Sequence, residues 1–107
     1  MSFHPVCAFA DLVDSEPRKA VVDGVTIAVI LSEDEVFAIN DTCSHGAVSL
    51  AEGDVDGCKL ECWLHGSEFD LRTGRPLSLP ATEPVAVYPV KVEDGTVFVS
   101  TQEIVHS

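Results

Sequence analysis

Apolar residues fall along this chain in short runs, not at the three-to-four spacing of an amphipathic helix. Lys19–Val22, Val25–Leu31, Val36–Ile39, Lys59–Glu61 and Thr96–Val99 are rich in Val, Ile, Thr and Phe and are set off by turn-forming pairs, the pattern of β-strands. Asp23-Gly24, Glu33-Asp34, Asp56-Gly57 and Asp94-Gly95 supply the turns, since Asp-Gly readily takes the positive φ that tight hairpins demand. Val85–Val92 alternates apolar with other residues, which predicts a C-terminal hairpin laying one face on the core, with Pro89 marking an edge or a bulge. The fold class expected from the pattern is mostly β.

Between these hairpins, Asn40 to about Pro84 has a different character. It holds three of the four Cys, the single Trp and five of the seven Gly, and such turn-rich chain needs something to order it. Nothing repeats at a fixed period and no low-complexity linker appears, so the region reads as an insertion within one β domain. The expected organisation is a single domain over residues 1–107, with an inserted subdomain at about 41–84. A chain of 107 residues buries a modest core and has no room for an elaborate active site.

Charge narrows the partners. Eighteen acidic against six basic side chains give a formal net charge of −12, which repels phosphate backbones and anionic lipid and attracts basic protein surfaces. Neither nucleic acid nor membrane is expected as a partner. The same charge also keeps a small protein soluble and monomeric. No apolar stretch is long enough to cross a bilayer. Met1-Ser2-Phe3-His4-Pro5 lacks a basic start, and Asp11 and Asp14 break the apolar stretch after it, so a secretory signal is not supported and a cytoplasmic location is expected.

The chemistry concentrates in Cys43-Ser44-His45 and Cys62-Trp63-Leu64-His65, which are separated by sixteen residues and each followed directly by glycine, Gly46 and Gly66. Donors two or three positions apart on a tight turn aim at one point, and glycine permits the dihedrals of such turns. Three readings are open on the residues alone: a structural Cys2His2 zinc site, a [2Fe–2S] cluster with mixed ligands, or chance proximity. Zinc fingers usually gather both thiolates in one loop and both imidazoles in another. Here each loop mixes the donors, as a binuclear cluster with two Cys on one iron and two His on the other requires.

With its Cys-x-His and Cys-x-x-His pairs and their spacer, the chain resembles the Rieske family position for position. The resemblance continues through Gly66-Ser67-Glu68-Phe69-Asp70-Leu71 and Thr73-Gly74-Arg75-Pro76 to Leu79-Pro80-Ala81, which is similar to the proline-containing loop that covers the cluster in that family. It implies a Rieske fold, an antiparallel β-sandwich base with a small cluster-binding subdomain inserted. It also implies one Rieske-type [2Fe–2S] cluster held by Cys43, His45, Cys62 and His65. Rieske domains of cytochrome bc complexes carry an additional Cys in each ligand loop, joined as a disulfide; here those positions are Val48 and Leu64. Ser67 matches a serine that donates to cluster sulfur in those domains, whereas Phe69 replaces a tyrosine that does the same. Fewer donors to sulfur imply a potential in the lower part of the Rieske range of about −150 to +300 mV.

A free-standing domain of this size resembles the ferredoxin component of bacterial multicomponent aromatic-ring-hydroxylating dioxygenases, with the nearest likeness to carbazole-type systems. That implies a one-electron carrier, not an enzyme, whose partners are an NAD(P)H-dependent ferredoxin reductase and a terminal Rieske non-heme iron oxygenase. A shuttle must release each partner quickly, which favours a monomer. The alternatives are a zinc-stabilised interaction module without redox role and a Rieske subunit of another reductase pathway. Cys7 and Cys58 lie outside the motif and are expected to be small core residues. His4 and His106, near the termini, are expected to be solvated. Trp63 neighbours the ligands whatever its purpose, and Glu52, Asp54, Asp56, Glu61 and Glu68 form an acidic group that either steers basic partners or is a solvated face.

Overall fold

The computed structural model describes residues 3–32, 34–42, 49–62, 68–77 and 85–101. Its strands are β1 (His4–Ala8), β2 (Arg18–Val22), β3 (Val25–Ser32), β4 (Glu35–Asn40), β5 (Asp54–Asp56), β6 (Lys59–Glu61), β7 (Glu68–Asp70), β8 (Val87–Tyr88), β9 (Val90–Glu93) and β10 (Thr96–Val99). They form three sheets, ordered β1-β10-β9, β2-β3-β4-β8 and β5-β6-β7, with every strand pair antiparallel.

The β2-β3-β4-β8 sheet lies between two cores, and the side-chain period of a strand shows how. Ile27, Val29 and Ala38 join Leu12, Val22, Tyr88, Val97 and Val99 on one face. Ala28, Ile30, Phe37 and Ile39 join Leu50, Leu60, Cys62, Phe69, Leu71, Val85 and Val87 on the other. Successive side chains of a strand point to opposite faces, so a strand covered on both sides reads as an unbroken apolar run, as Ile27-Ala28-Val29-Ile30 does. One face packs on β1-β10-β9 to make the sandwich base. The other carries the β5-β6-β7 sheet.

Turn chemistry sets the register of the hairpins. Val22 pairs with Val25 and Glu93 with Thr96, and in both two-residue turns the Asp and the Gly have positive φ (Asp23 51°, Gly24 78°; Asp94 50°, Gly95 76°). This is the mirror-image turn that matches strand twist. Ser32 pairs with Glu35, with Asp34 at φ 64°. The third hairpin turn falls one residue later than the Asp56-Gly57 pair suggests: Asp56 faces Lys59, leaving Gly57 and Cys58 as the turn.

Two expectations change. Val85–Val92 does not lay one face on one core, because the chain changes sheets at Pro89. Val87–Tyr88 pairs with β4 while Val90–Glu93 pairs with β10, since proline cannot donate to a ladder and ends the first pairing. β1 has no counterpart in the sequence pattern. Pro5 obscures it, and its pairing with β10 slips between Pro5 and Cys7 in a bulge. His4 belongs to this strand, opposite Val99, with Nε2 3.3 Å from the Asp23 carboxylate, so it is not a loose terminal residue.

Candidate metal centre

Of the four expected ligands, Cys62 lies among the described residues. Cys43, His45 and His65 lie outside them, as do Gly46, Val48, Trp63, Leu64, Gly66, Ser67, Leu79, Pro80, Ala81 and His106. Cys62 directly follows β6 and is 1% exposed, packed with Leu60, Phe69 and Leu50.

The described residues bracketing the 43–48, 63–67 and 78–84 segments are tied to one another in sequence. Thr42 and Ser49 form an antiparallel bridge, and the Leu50 amide donates to the Asp41 carbonyl at 2.6 Å. The Gly53 amide donates to the Leu50 carbonyl at 3.0 Å. Gly53 in turn lies against Glu61, so closely that a Cβ built on it would stand 2.0 Å from the Glu61 carbonyl oxygen. Glu61 faces Glu68 across the β6-β7 ladder, and the Leu77 amide donates to the Glu68 carbonyl at 2.6 Å. The chain departs toward both ligand pairs, and toward the proline-containing segment, from this one connected set of residues. Return from the last segment is fixed by the Val85 amide donating to the Gly74 carbonyl at 2.8 Å.

Chemistry and packing here suit a [2Fe–2S] group. Cys62 is a soft sulfur donor, excluded from water, and none of the described cysteines, Cys7, Cys58 and Cys62, is in a disulfide. The close backbone approach at Gly53 draws the Leu50 turn onto the strand that leads into Cys62, which only a residue without Cβ allows. Phe69, where bc-type domains place a tyrosine, is fully buried and has no hydroxyl to offer. Among the described residues, no three His, Cys, Asp or Glu side chains gather to hold a metal ion.

The Rieske [2Fe–2S] domain family matches residues 2–89. The chain belongs to the Rieske [2Fe–2S] family. It holds a Rieske-type cluster and carries single electrons, and the zinc alternative falls with that match. The anthranilate 1,2-dioxygenase ferredoxin subunit of Burkholderia cepacia is 46% identical over 99 residues, covering 92% of this chain and 91% of that protein. The ferredoxin of carbazole 1,9a-dioxygenase from Nocardioides aromaticivorans IC177 superposes with a TM-score of 0.90 at 33% identity, covering 94% of this chain and 98% of the other. A solved complex of reduced oxygenase and oxidised ferredoxin in carbazole 1,9a-dioxygenase contains a match at TM-score 0.87 and 39% identity, with 92% of each chain covered. The antiparallel sandwich with its third small sheet is thus the Rieske fold, and these relatives are electron-transfer components, not catalysts.

Other residues of the Rieske chain fall into place around this centre. Cys7 is half-buried against the sandwich core and Cys58 against the core that includes Cys62. Burial pushes the Cys7 thiol up, opposed by Arg18 and helped by Asp11, which keeps it protonated and a poor ligand near neutral pH. Glu52 in the turn before β5, Asp54 and Asp56 in β5 and Glu61 in β6 are exposed, and Glu68 is half-buried. Arg72 forms a two-pronged pair with Glu35, at 2.7 and 3.1 Å, tying the ligand-bearing region to β4. Both side chains are about half exposed, so the pair contributes little beside the apolar packing. Among the described residues no helix is long and apolar enough to cross a membrane. Sequence reasoning passed over Asn40, Asp41 and Gly53. The available signal was an Asn-Asp pair one residue before the first ligand motif and a glycine within the spacer.

Proposed function

We propose that this chain is the ferredoxin subunit of an aromatic-ring dioxygenase system. It takes electrons from an NAD(P)H-dependent ferredoxin reductase and delivers them to a terminal Rieske non-heme iron oxygenase. The observation that carries the reading is the 46% identity to an anthranilate 1,2-dioxygenase ferredoxin subunit over nearly the whole of both chains. The proposed ligands are Cys43, His45, Cys62 and His65, in a single domain of residues 1–107 whose cluster-binding subdomain is about 41–84. Convergence of the segment ends around buried Cys62 supports that assignment.

When bound, the cluster supplies a one-electron couple made less negative than an all-cysteine one by its two imidazoles. This chain's contribution is to bury the Cys62 side, present the ligand end to a partner and release it. The exposed Glu52, Asp54, Asp56 and Glu61 favour a basic docking face. A monomer in the cytoplasm fits a carrier that must visit two proteins in turn.

The test has two stages. Purified protein should be red-brown and, after dithionite reduction, give the low-average-g rhombic EPR signal of mixed Cys/His ligation; colourless, zinc-containing protein overturns the ligand assignment. With a dioxygenase reductase and terminal oxygenase, NAD(P)H-driven ring hydroxylation should then depend on this chain. A red-brown protein that neither reductase nor oxygenase oxidises or reduces would overturn the partner reading alone.

A further inference from the structure

Asp41 is an acid where an acid is costly. The residue is 4% exposed, and a buried carboxylate must be held by hydrogen bonds or a counter-charge. Its Oδ2 accepts a hydrogen bond from the Ser49 hydroxyl at 2.7 Å and its Oδ1 one from the Ala51 amide at 2.9 Å. Its own carbonyl takes the Leu50 amide, and its amide donates to Thr26 in β3 at 3.1 Å. Lys19 Nζ stands 3.7 Å from Oδ2 on a side chain 54% exposed, so water screens much of that cation. The neighbouring Asn40 accepts the Thr42 amide at 3.0 Å and donates to the Tyr88 hydroxyl at 3.1 Å.

These bonds have one effect in common. Asp41 precedes the 43–48 segment and grips the residues just beyond it, Ser49, Leu50 and Ala51, through three hydrogen bonds, while the Asn40 side chain holds Thr42. Hydrophobic burial cannot do this, because an apolar residue at 41 would leave the Ala51 amide and the Ser49 hydroxyl without their acceptor.

We propose that Asp41 is a positioning residue that ties together the chain on either side of the first ligand segment and places a negative charge two residues from Cys43. The proposal rests on the reading that Cys43 and His45 are ligands. As a clamp, Asp41 slows release of the cluster. As a charge, it disfavours adding an electron and so holds the reduction potential down. The two roles separate by substitution. Asp41→Asn removes the charge and keeps an amide oxygen for Ala51 and a polar group for Ser49. Ser49→Ala removes one clamp bond and keeps the charge. Asp41→Ala removes both.

The experiment measures reduction potential by spectroelectrochemistry and the half-time of visible bleaching in excess chelator, on purified cluster-loaded protein. Expected are an upward potential shift with little change in bleaching for Asp41→Asn, and bleaching faster with the parental potential for Ser49→Ala. Asp41→Ala should show both, with bleaching faster by roughly tenfold or more, the scale seen when partners of metal ligands are removed. If Asp41→Ala does not fold, the other two variants carry the test. Parental potential in Asp41→Asn together with parental bleaching in Ser49→Ala overturns the proposal. Parental protein without a cluster would instead overturn the ligand reading, so the two failures are distinguishable.

Discussion

The sandwich base and the ligand-bearing region reach order by different means. In the base, β2, β3 and β4 run five, eight and six residues, and β3 and β4 are packed on both faces by apolar side chains. In the ligand-bearing region, β5, β6 and β7 have three residues each. Three-residue strands place few side chains in a core, so backbone approaches and single hydrogen bonds, such as Ser32 to the Gly57 carbonyl, carry proportionally more there. The base is specified by hydrophobic pattern. The region around Cys62 is specified by the outer face of the base and by the group it binds, as small metal-ordered units are.

Removing the bound group is the strongest way to break this comparison. Cys62→Ser keeps nearly the same side-chain volume but replaces the soft thiolate, and should abolish visible absorption. Amide exchange should then quicken across β5-β6-β7 while β2, β3 and β4 stay protected. Loss of protection throughout both regions at once would show that they form one cooperative unit, and that the base does not hold without the centre.

A pair of glycines sharpens it next. Gly24 and Gly74 have nearly the same φ, 78° and 75°. A Cβ on Gly24 would meet nothing within 4 Å, whereas one on Gly74 would stand 2.0 Å from the Val85 carbonyl oxygen. Gly24→Ala should cost only the left-handed conformation, about 1 kcal/mol. Gly74→Ala adds displacement of the Val85 backbone, where the chain returns to the base, for a total of roughly 2 to 4 kcal/mol. Urea unfolding of the two variants measures the difference. Equal losses would mean that the Val85 backbone yields without cost.

The same contrast explains what could be read from residues alone. Asp-Gly pairs and β-branched runs locate β2, β3, β4, β6 and β10, because turn dihedrals and side-chain alternation are local properties. The apolar run of β3 was visible as a strand, but not that it is buried on both faces or which of its residues faces which core. β1 was hidden by Pro5, whose bulged pairing with β10 depends on a strand more than eighty residues away in sequence. The change of sheets at Pro89 is likewise tertiary. In the centre, the Cys and His pairs carried family and cofactor because ligand chemistry permits few substitutes. Asp41 was one of eighteen acids, and nothing in its own sequence neighbourhood says that it is buried and bonded to Ser49 and Ala51.

The finest test of the comparison uses two isoleucines of one strand. Ile27 and Ile30 are both fully buried in β3, Ile27 in the core shared with β10 and Ile30 in the core shared with Leu60, Cys62 and Phe69. Replacing either by valine deletes one buried methylene-sized group and should cost about 0.5 to 1.5 kcal/mol of unfolding free energy. The stability losses should therefore be alike. Bleaching in excess chelator should separate the two, because the loosened packing of Ile30→Val lies against Cys62, whereas that of Ile27→Val lies across the sheet from it. Ile30→Val is expected to bleach faster than the parent and Ile27→Val at the parental rate. Equal acceleration in both variants would mean that opening of the centre requires opening of the whole sandwich, and that its two faces are not independent.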